Sequence, residues 1–137
     1  MATRGRIGLE LADGSILSIY SHYDNYPSFV GVKLVEHYNT KEKVTSLIDG
    51  GDISCLWTNA GWNNELLPTT GPLTYASRGE ECPPRLDADL CEFLLPDGAE
   101  EYHYLFTQKN EWICYNLNKF ENKLPEVVEI PNGALMV

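Results

Sequence analysis

A chain of 137 residues with ordinary apolar and charged fractions has room for one hydrophobic core. Its formal charge of −10 repels phosphate backbones, which disfavours nonspecific binding to DNA or RNA and favours a basic partner. No segment approaches the roughly 18 uninterrupted apolar residues of a membrane span, and Glu10, Asp13 and Gly14 interrupt the N-terminal stretch before a signal-peptide core can form.

Ile7 to Leu11 and Ile16 to Tyr20 flank Asp13-Gly14, a dipeptide that supplies the positive φ angles of a tight turn, so the chain is expected to open with a β-hairpin. Pro27 suits a first helical turn, and Phe29, Val30, Leu34, Val35 and Tyr38 form an apolar stripe that predicts a helix up to about Tyr38. Thr40 reads as the N-cap of a second helix, with Val44, Leu47 and Ile48 on one face and Gly50-Gly51 as its stop. From 57 to 85 periodicity fails under Asn59, Gly61, Asn63, Asn64, Pro68, Gly71, Pro72, Gly79, Pro83 and Pro84. That stretch reads as one long irregular loop with a short strand near Leu73 to Ala76.

Leu86, Leu90, Phe93 and Leu94 recur at helical spacing and favour a third short helix ending near Pro96-Asp97-Gly98, a strand being the alternative. Tyr102 to Thr107 and Glu111 to Leu117, separated by Gln108-Lys109-Asn110, read as a second hairpin. The tail from about 120 to 137 is acidic, with one edge strand expected at Val127 to Ile130. The expected fold class is α+β, a single domain in which two β-hairpins form one antiparallel sheet, with two or three short helices on one face and a long irregular loop.

The densest polar and aromatic cluster is Tyr20-Ser21-His22-Tyr23-Asp24-Asn25-Tyr26, where the second strand gives way to the first helix. His22 and Asp24 lie two apart, so in an extended chain a carboxylate and an imidazole project to one face. The competing structural reading has Asp24 or Asn25 capping the helix while the tyrosines pack. Arg78, beside Gly79 and Glu80, offers a planar fork for a phosphate or carboxylate, or forms a solvated turn with a local ion pair. Cys55, Cys82, Cys91 and Cys114 match no metal or redox spacing, which predicts reduced thiols, and His22, His37 and His103 follow no ligand pattern, so no metal or cofactor is expected. The candidate binding residues are His22, Asp24, Tyr26, Arg78 and Glu80, expected to meet in space; no residue is assigned a catalytic role.

Arg6-Ile7, Tyr20 through Pro27, Gly31, Leu34, His37-Tyr38, Leu47 through Ser54, Arg78-Gly79-Glu80, Glu101 through Phe106 and Trp112 occur in an order that resembles a family of small tailed-bacteriophage proteins of unassigned function. The family's central motif commonly reads Tyr-Cys-His-Trp-Asp-Gly-Tyr. This chain matches it at His22, Asp24 and Tyr26 and departs at Ser21, Tyr23 and Asn25. Serine in place of cysteine argues against a thiol mechanism, and asparagine in place of glycine is mild because asparagine tolerates the left-handed conformation.

The resemblance implies a phage origin and the cytoplasm of an infected host cell, and it carries no activity. The expected function is therefore a non-catalytic accessory protein that binds and modulates or sequesters a host component, either a protein with a basic surface or a small anionic ligand. The alternatives are a small hydrolase or phosphoryl-processing enzyme using His22 and Asp24, and a minor virion or assembly protein.

Overall fold

The computed structural model describes residues 2–95, 98–118, 121 and 123–131. Strands β1 (Arg4–Glu10) and β2 (Ile16–Ser21) pair antiparallel around the Asp13-Gly14 turn. Gly14 takes the required positive φ of 88°, and the Asp13 carboxylate accepts hydrogen bonds from the Ser15 amide at 3.0 Å and the Ser15 hydroxyl at 2.5 Å. The chain then makes one π-helical turn (Pro27–Gly31), runs on as helix α1 (Val32–His37), and starts helix α2 (Lys41–Asp49) with the Thr40 hydroxyl accepting from the Lys43 amide.

The segment from 57 to 85 is not an irregular loop. It belongs to a two-stranded ribbon of β3 (Ile53–Ala60) and β4 (Leu66–Thr74), a 3-10 turn at Tyr75–Arg78, and the short strand β5 (Arg85–Asp87). Pro68 and Pro72, which look like strand breakers, sit in β4 at one edge of the sheet. A residue without an amide hydrogen is tolerated there, where one side of the strand has no ladder to complete. Asn64, at φ 61°, turns the ribbon tip, and the Gly61 amide closes it on the Glu65 carbonyl at 2.8 Å.

The third helix is shorter than its apolar spacing suggests. Leu86 lies in β5, and only Leu90–Phe93 is helical (α3), N-capped by the Asp89 carboxylate on the Glu92 amide at 2.9 Å. Its expected stop at Pro96-Asp97 lies outside the described residues. The second hairpin is present as β6 (Glu100–Phe106) and β7 (Trp112–Asn116), and β8 (Glu126–Val128) adds an edge strand slightly earlier than expected.

The sheet is mixed rather than antiparallel. Its order is β4-β3-β2-β1-β6-β7-β8, with β5 pairing β2 off that path. The β1–β6 and β2–β3 pairings are parallel, so the two hairpins stand side by side through a parallel seam. Regular pairing breaks at two places in the middle of the sheet. Strand β2 forks: Ile16 to Ser18 pair with β5, whereas β3 meets it at the single register pair Ser21↔Ile53. In the β1–β6 seam the register slips between Arg4 and Gly5, so Arg4 faces Glu100 while Gly5 faces Tyr102, leaving Glu101 as a bulge.

Both faces of the sheet are covered, not one. Ile7, Leu9, Ile19, Tyr104 and Phe106 point to the face that buries Val30, Leu34, Val44, Leu47 and Ile48 from the helical segments. Their neighbours along the strands, Ile16, Leu105 and Tyr115, point the other way and close over Phe93 of α3. Gly8 is required on this second face, because a Cβ there would come within 2.9 Å of Ile16 and 3.1 Å of the Phe93 ring.

Candidate functional site

The Tyr20 to Tyr26 motif sits where β2 runs out of partners. Its amides are taken up in turn: Tyr20 N–H by the Asp52 carboxylate at 2.8 Å, His22 N–H by the Ile53 carbonyl at 3.2 Å and Tyr23 N–H by the Ser54 carbonyl at 2.9 Å. Asp52 thus fills the gap in the fork between β5 and β3 with a side chain in place of a strand. Half-burial pushes its carboxyl upward, against the Tyr20 amide and the Arg6 and Arg85 charges, which pull it down.

His22 is held by Tyr20 rather than by Asp24. The Tyr20 hydroxyl and His22 Nδ1 are 2.7 Å apart, and the Tyr23 ring stands edge-on to the imidazole with centroids 4.5 Å apart. Among the described residues no hydrogen bond or ion pair joins His22 to Asp24. The reason is local: Asp24 takes the left-handed conformation, φ 63°, so the chain turns between the two and the extended geometry that would align them is lost. Desolvation and then the Arg4 charge hold the His22 imidazole below its usual value, which favours the neutral ring.

Neither Asp24 nor Asn25 caps the helical segment, whose N-cap is Tyr26 with no side-chain bond. Asn25 is fully buried and donates to the carbonyls of Thr3 and Ser21 at 2.9 Å each and of Tyr23 at 3.2 Å, while its own backbone carbonyl accepts from the Tyr104 hydroxyl at 2.6 Å. It ties the motif to the N-terminus and the core. Tyr23 and Tyr26 are left on the surface, 48% and 40% exposed.

Arg78 lies in the 3-10 turn and is engaged three ways. It pairs with Glu80, stacks over Trp62 with its guanidinium carbon 4.0 Å from the ring centroid, and lies 5.2 Å from the Tyr75 centroid. The Trp62 indole in turn donates to the Ser77 hydroxyl at 2.8 Å, so the ribbon tip is latched back onto the turn. Among the described residues no hydrogen bond, ion pair or ring contact joins Arg78 to His22, Asp24 or Tyr26. Tyr75 is common to both groups: burial first, with Tyr23 and Glu80 adding to it against the pull of Arg78, raises its hydroxyl above the ordinary value.

Farther round the same ribbon, Trp57 stacks flat on His37, with centroids 4.0 Å apart and planes at 10°, and Lys33 lies 5.8 Å from Trp57 and 5.9 Å from Phe29. Aromatic rings paired with cations thus recur on β3, at the ribbon tip and in the turns beside them. Trp62 stands out in the sequence, with Trp57, at the start of the irregular stretch, as a hot-spot aromatic or a core residue; Tyr75 is the residue that a sequence reading centred on Arg78 passes over, its one signal being aromatic character beside a Gly- and Pro-rich stretch.

Three of the thiols are held protonated and are poor nucleophiles. Burial raises Cys55 and Cys82 above the ordinary value and pushes Cys114 up to about 12. All four cysteines are free. Among the described residues no cluster of His, Cys, Asp and Glu is placed to hold a metal, and no helix is long and apolar enough to cross a membrane. A groove of about 490 Å³ lies elsewhere, between the end of α1 and the β7–β8 edge, lined by Val35, Trp112, Val128 and Ile130 among others, and none of the candidate residues reaches it. Comparison with family models, curated proteins and solved structures finds no match to this chain.

Proposed function

We propose that the chain is a non-catalytic binding protein that engages a host-cell protein of basic surface through the aromatic patch where β2 leaves the sheet and the β3–β4 ribbon begins. One observation carries this reading. The groups that would do chemistry are tied up internally, His22 by Tyr20 and Arg78 by Glu80, Trp62 and Tyr75, whereas Tyr23 and Tyr26 beside them are presented to solvent. Large, stiff aromatic rings set in a polar rim are the usual anchors of protein interfaces. The charge of −10 supplies long-range attraction for a basic partner. The phage setting rests on the resemblance of the Tyr20 to Tyr26 motif and its flanking strings.

The hydrolase alternative loses its simplest form, because the imidazole is paired with a phenol and not with the Asp24 carboxylate. The decisive experiment is affinity capture from host extract with wild type and the Tyr23→Ala/Tyr26→Ala double variant in parallel, followed by a direct binding measurement on the purified partner. A basic host protein should bind the wild type and lose at least about tenfold in affinity with the double variant. Equal binding by both proteins, or turnover of a phosphate ester abolished by His22→Ala, would displace this reading.

A further inference from the structure

The far end of the second sheet face holds two charged side chains with buried atoms that nothing among the described residues satisfies. Glu100 is only 6% exposed and its Oε2 has no hydrogen-bond partner. Arg4, its register neighbour across the β1–β6 seam, has a buried Nε that is likewise unpartnered. Among the described residues no ion pair joins the two or links either to a third group. A carboxylate moved out of water into such a place without a donor is costly, and so is an arginine donor without an acceptor.

The backbone goes out of its way to create this pair. Without the Glu101 bulge, strict alternation would send Glu100 to the same side as Tyr102 and Tyr104, into the helix-covered core. The bulge turns it to the opposite face, beside Arg4. Gly5 is needed for that slip, since a Cβ there would collide with the Tyr102 carbonyl. Gly98 lets the carboxylate pack against the backbone, since a Cβ there would come within 2.6 Å of Oε2.

The surroundings are aromatic. Burial raises the Tyr20 phenol above its ordinary value, and the charges of Arg4, Glu100 and Asp52 act on it as well; Arg4 also acts on His22. Continuing the register beyond Gly5↔Ser21 sets Arg4 opposite His22. The result is one unpaired donor and one unpaired acceptor, with His22 and Tyr20 beside Arg4 in the strand register.

We propose that Arg4 and Glu100 form a binding site for a small zwitterion of the α-amino-acid type, its carboxylate on the Arg4 guanidinium, its ammonium on Glu100 and its side chain along Tyr20. A simple anion would leave Glu100 unpaired and a simple cation would leave Arg4 unpaired; only a ligand carrying both completes the site. The site lies at the β1–β6 seam and adjoins the exposed Tyr23 through His22.

The test uses the full-length protein and three probes of matched size: glycine, acetate and methylammonium, followed by ¹H–¹⁵N spectra. Glycine should bind saturably with a Kd of about 1 mM or tighter, shifting the amides of Gly5, Tyr20 and Glu100, and acetate and methylammonium should each bind at least about tenfold more weakly. Arg4→Gln and Glu100→Gln should each weaken glycine at least about tenfold, while unliganded Glu100→Gln melts no lower than wild type, because a buried unpaired charge has been removed. Absence of saturable glycine binding, equal binding of glycine and acetate, or unchanged affinity in Glu100→Gln would overturn the proposal. A large loss of melting temperature in Glu100→Gln would overturn it as well, by making the carboxylate structural; the three-probe comparison on wild type stands whether or not that variant folds.

Discussion

His22 shows how one side chain reports its setting. Desolvation and then the cationic Arg4 nearby favour the neutral ring, so the folded protein holds its pKa below the unfolded value of 6.5. The folded state therefore binds fewer protons than the unfolded state just below that value. Stability should decline as pH falls through 6.5 toward the folded pKa, and the decline should vanish in His22→Gln. Proton-detected titration should find the His22 midpoint below 6.5 and moving back up in Arg4→Gln; a midpoint unmoved by that substitution would mean that Arg4 does not act on the ring. Arg78 reads differently. Its guanidinium lies on the surface although Trp62, Tyr75 and Glu80 engage it, so Arg78→Ala should lower stability only slightly, as a surface substitution does, alter Trp62 fluorescence, and recover part of the wild-type signal when guanidinium is added. The Ala variant failing to respond to guanidinium would show that the cradle does not outlast its occupant.

At the scale of elements, the forked strand β2 carries the informative device. The Tyr20 amide faces the gap between β5 and β3, and the Asp52 carboxylate substitutes for a strand carbonyl. Asp52→Ala should cost about 1–3 kcal/mol by orphaning that amide, whereas Asp52→Asn keeps an oxygen acceptor and should recover most of the loss; chemical denaturation of the pair measures the difference. Local elements are largely legible in the sequence. Asp13-Gly14 marks the first hairpin, Thr40 and Gly50 bound α2, and the aromatic runs at Tyr102 and Trp112 mark the second hairpin. The β3–β4 ribbon is hidden because Pro68 and Pro72 are loop signals until it is known that β4 is an edge. The parallel seam is hidden because it joins residues about a hundred positions apart, which no periodicity records. The candidate site is legible as a motif and illegible as geometry, since Asp24 takes the left-handed conformation and its carboxylate makes no bond with His22 among the described residues.

For the whole molecule, one sheet with cores on both faces implies that a cavity on either side is felt throughout. Leu34→Ala, at a fully buried position between the helices and β1, should cost about 2–5 kcal/mol in equilibrium unfolding, and a loss below about 1 kcal/mol would mean that α1 docks loosely. Random duplex DNA should bind weakly at physiological salt because a charge of −10 opposes phosphate approach. Micromolar affinity with a steep salt slope would reveal a concealed basic face that overrides the global charge.

The way the ribbon joins the sheet bears on how the protein breathes. β3 joins the end of β2 through the register pair Ser21↔Ile53, the His22 and Tyr23 amides on the Ile53 and Ser54 carbonyls, and the Tyr20 amide on Asp52, so opening this junction frees three amides at once and leaves the β1–β2 and β1–β6 ladders closed. Deuterium should then enter the Tyr20, His22 and Tyr23 amides together, through one shared opening far cheaper than global unfolding, while Ile7 and Leu105 exchange only when the whole chain unfolds.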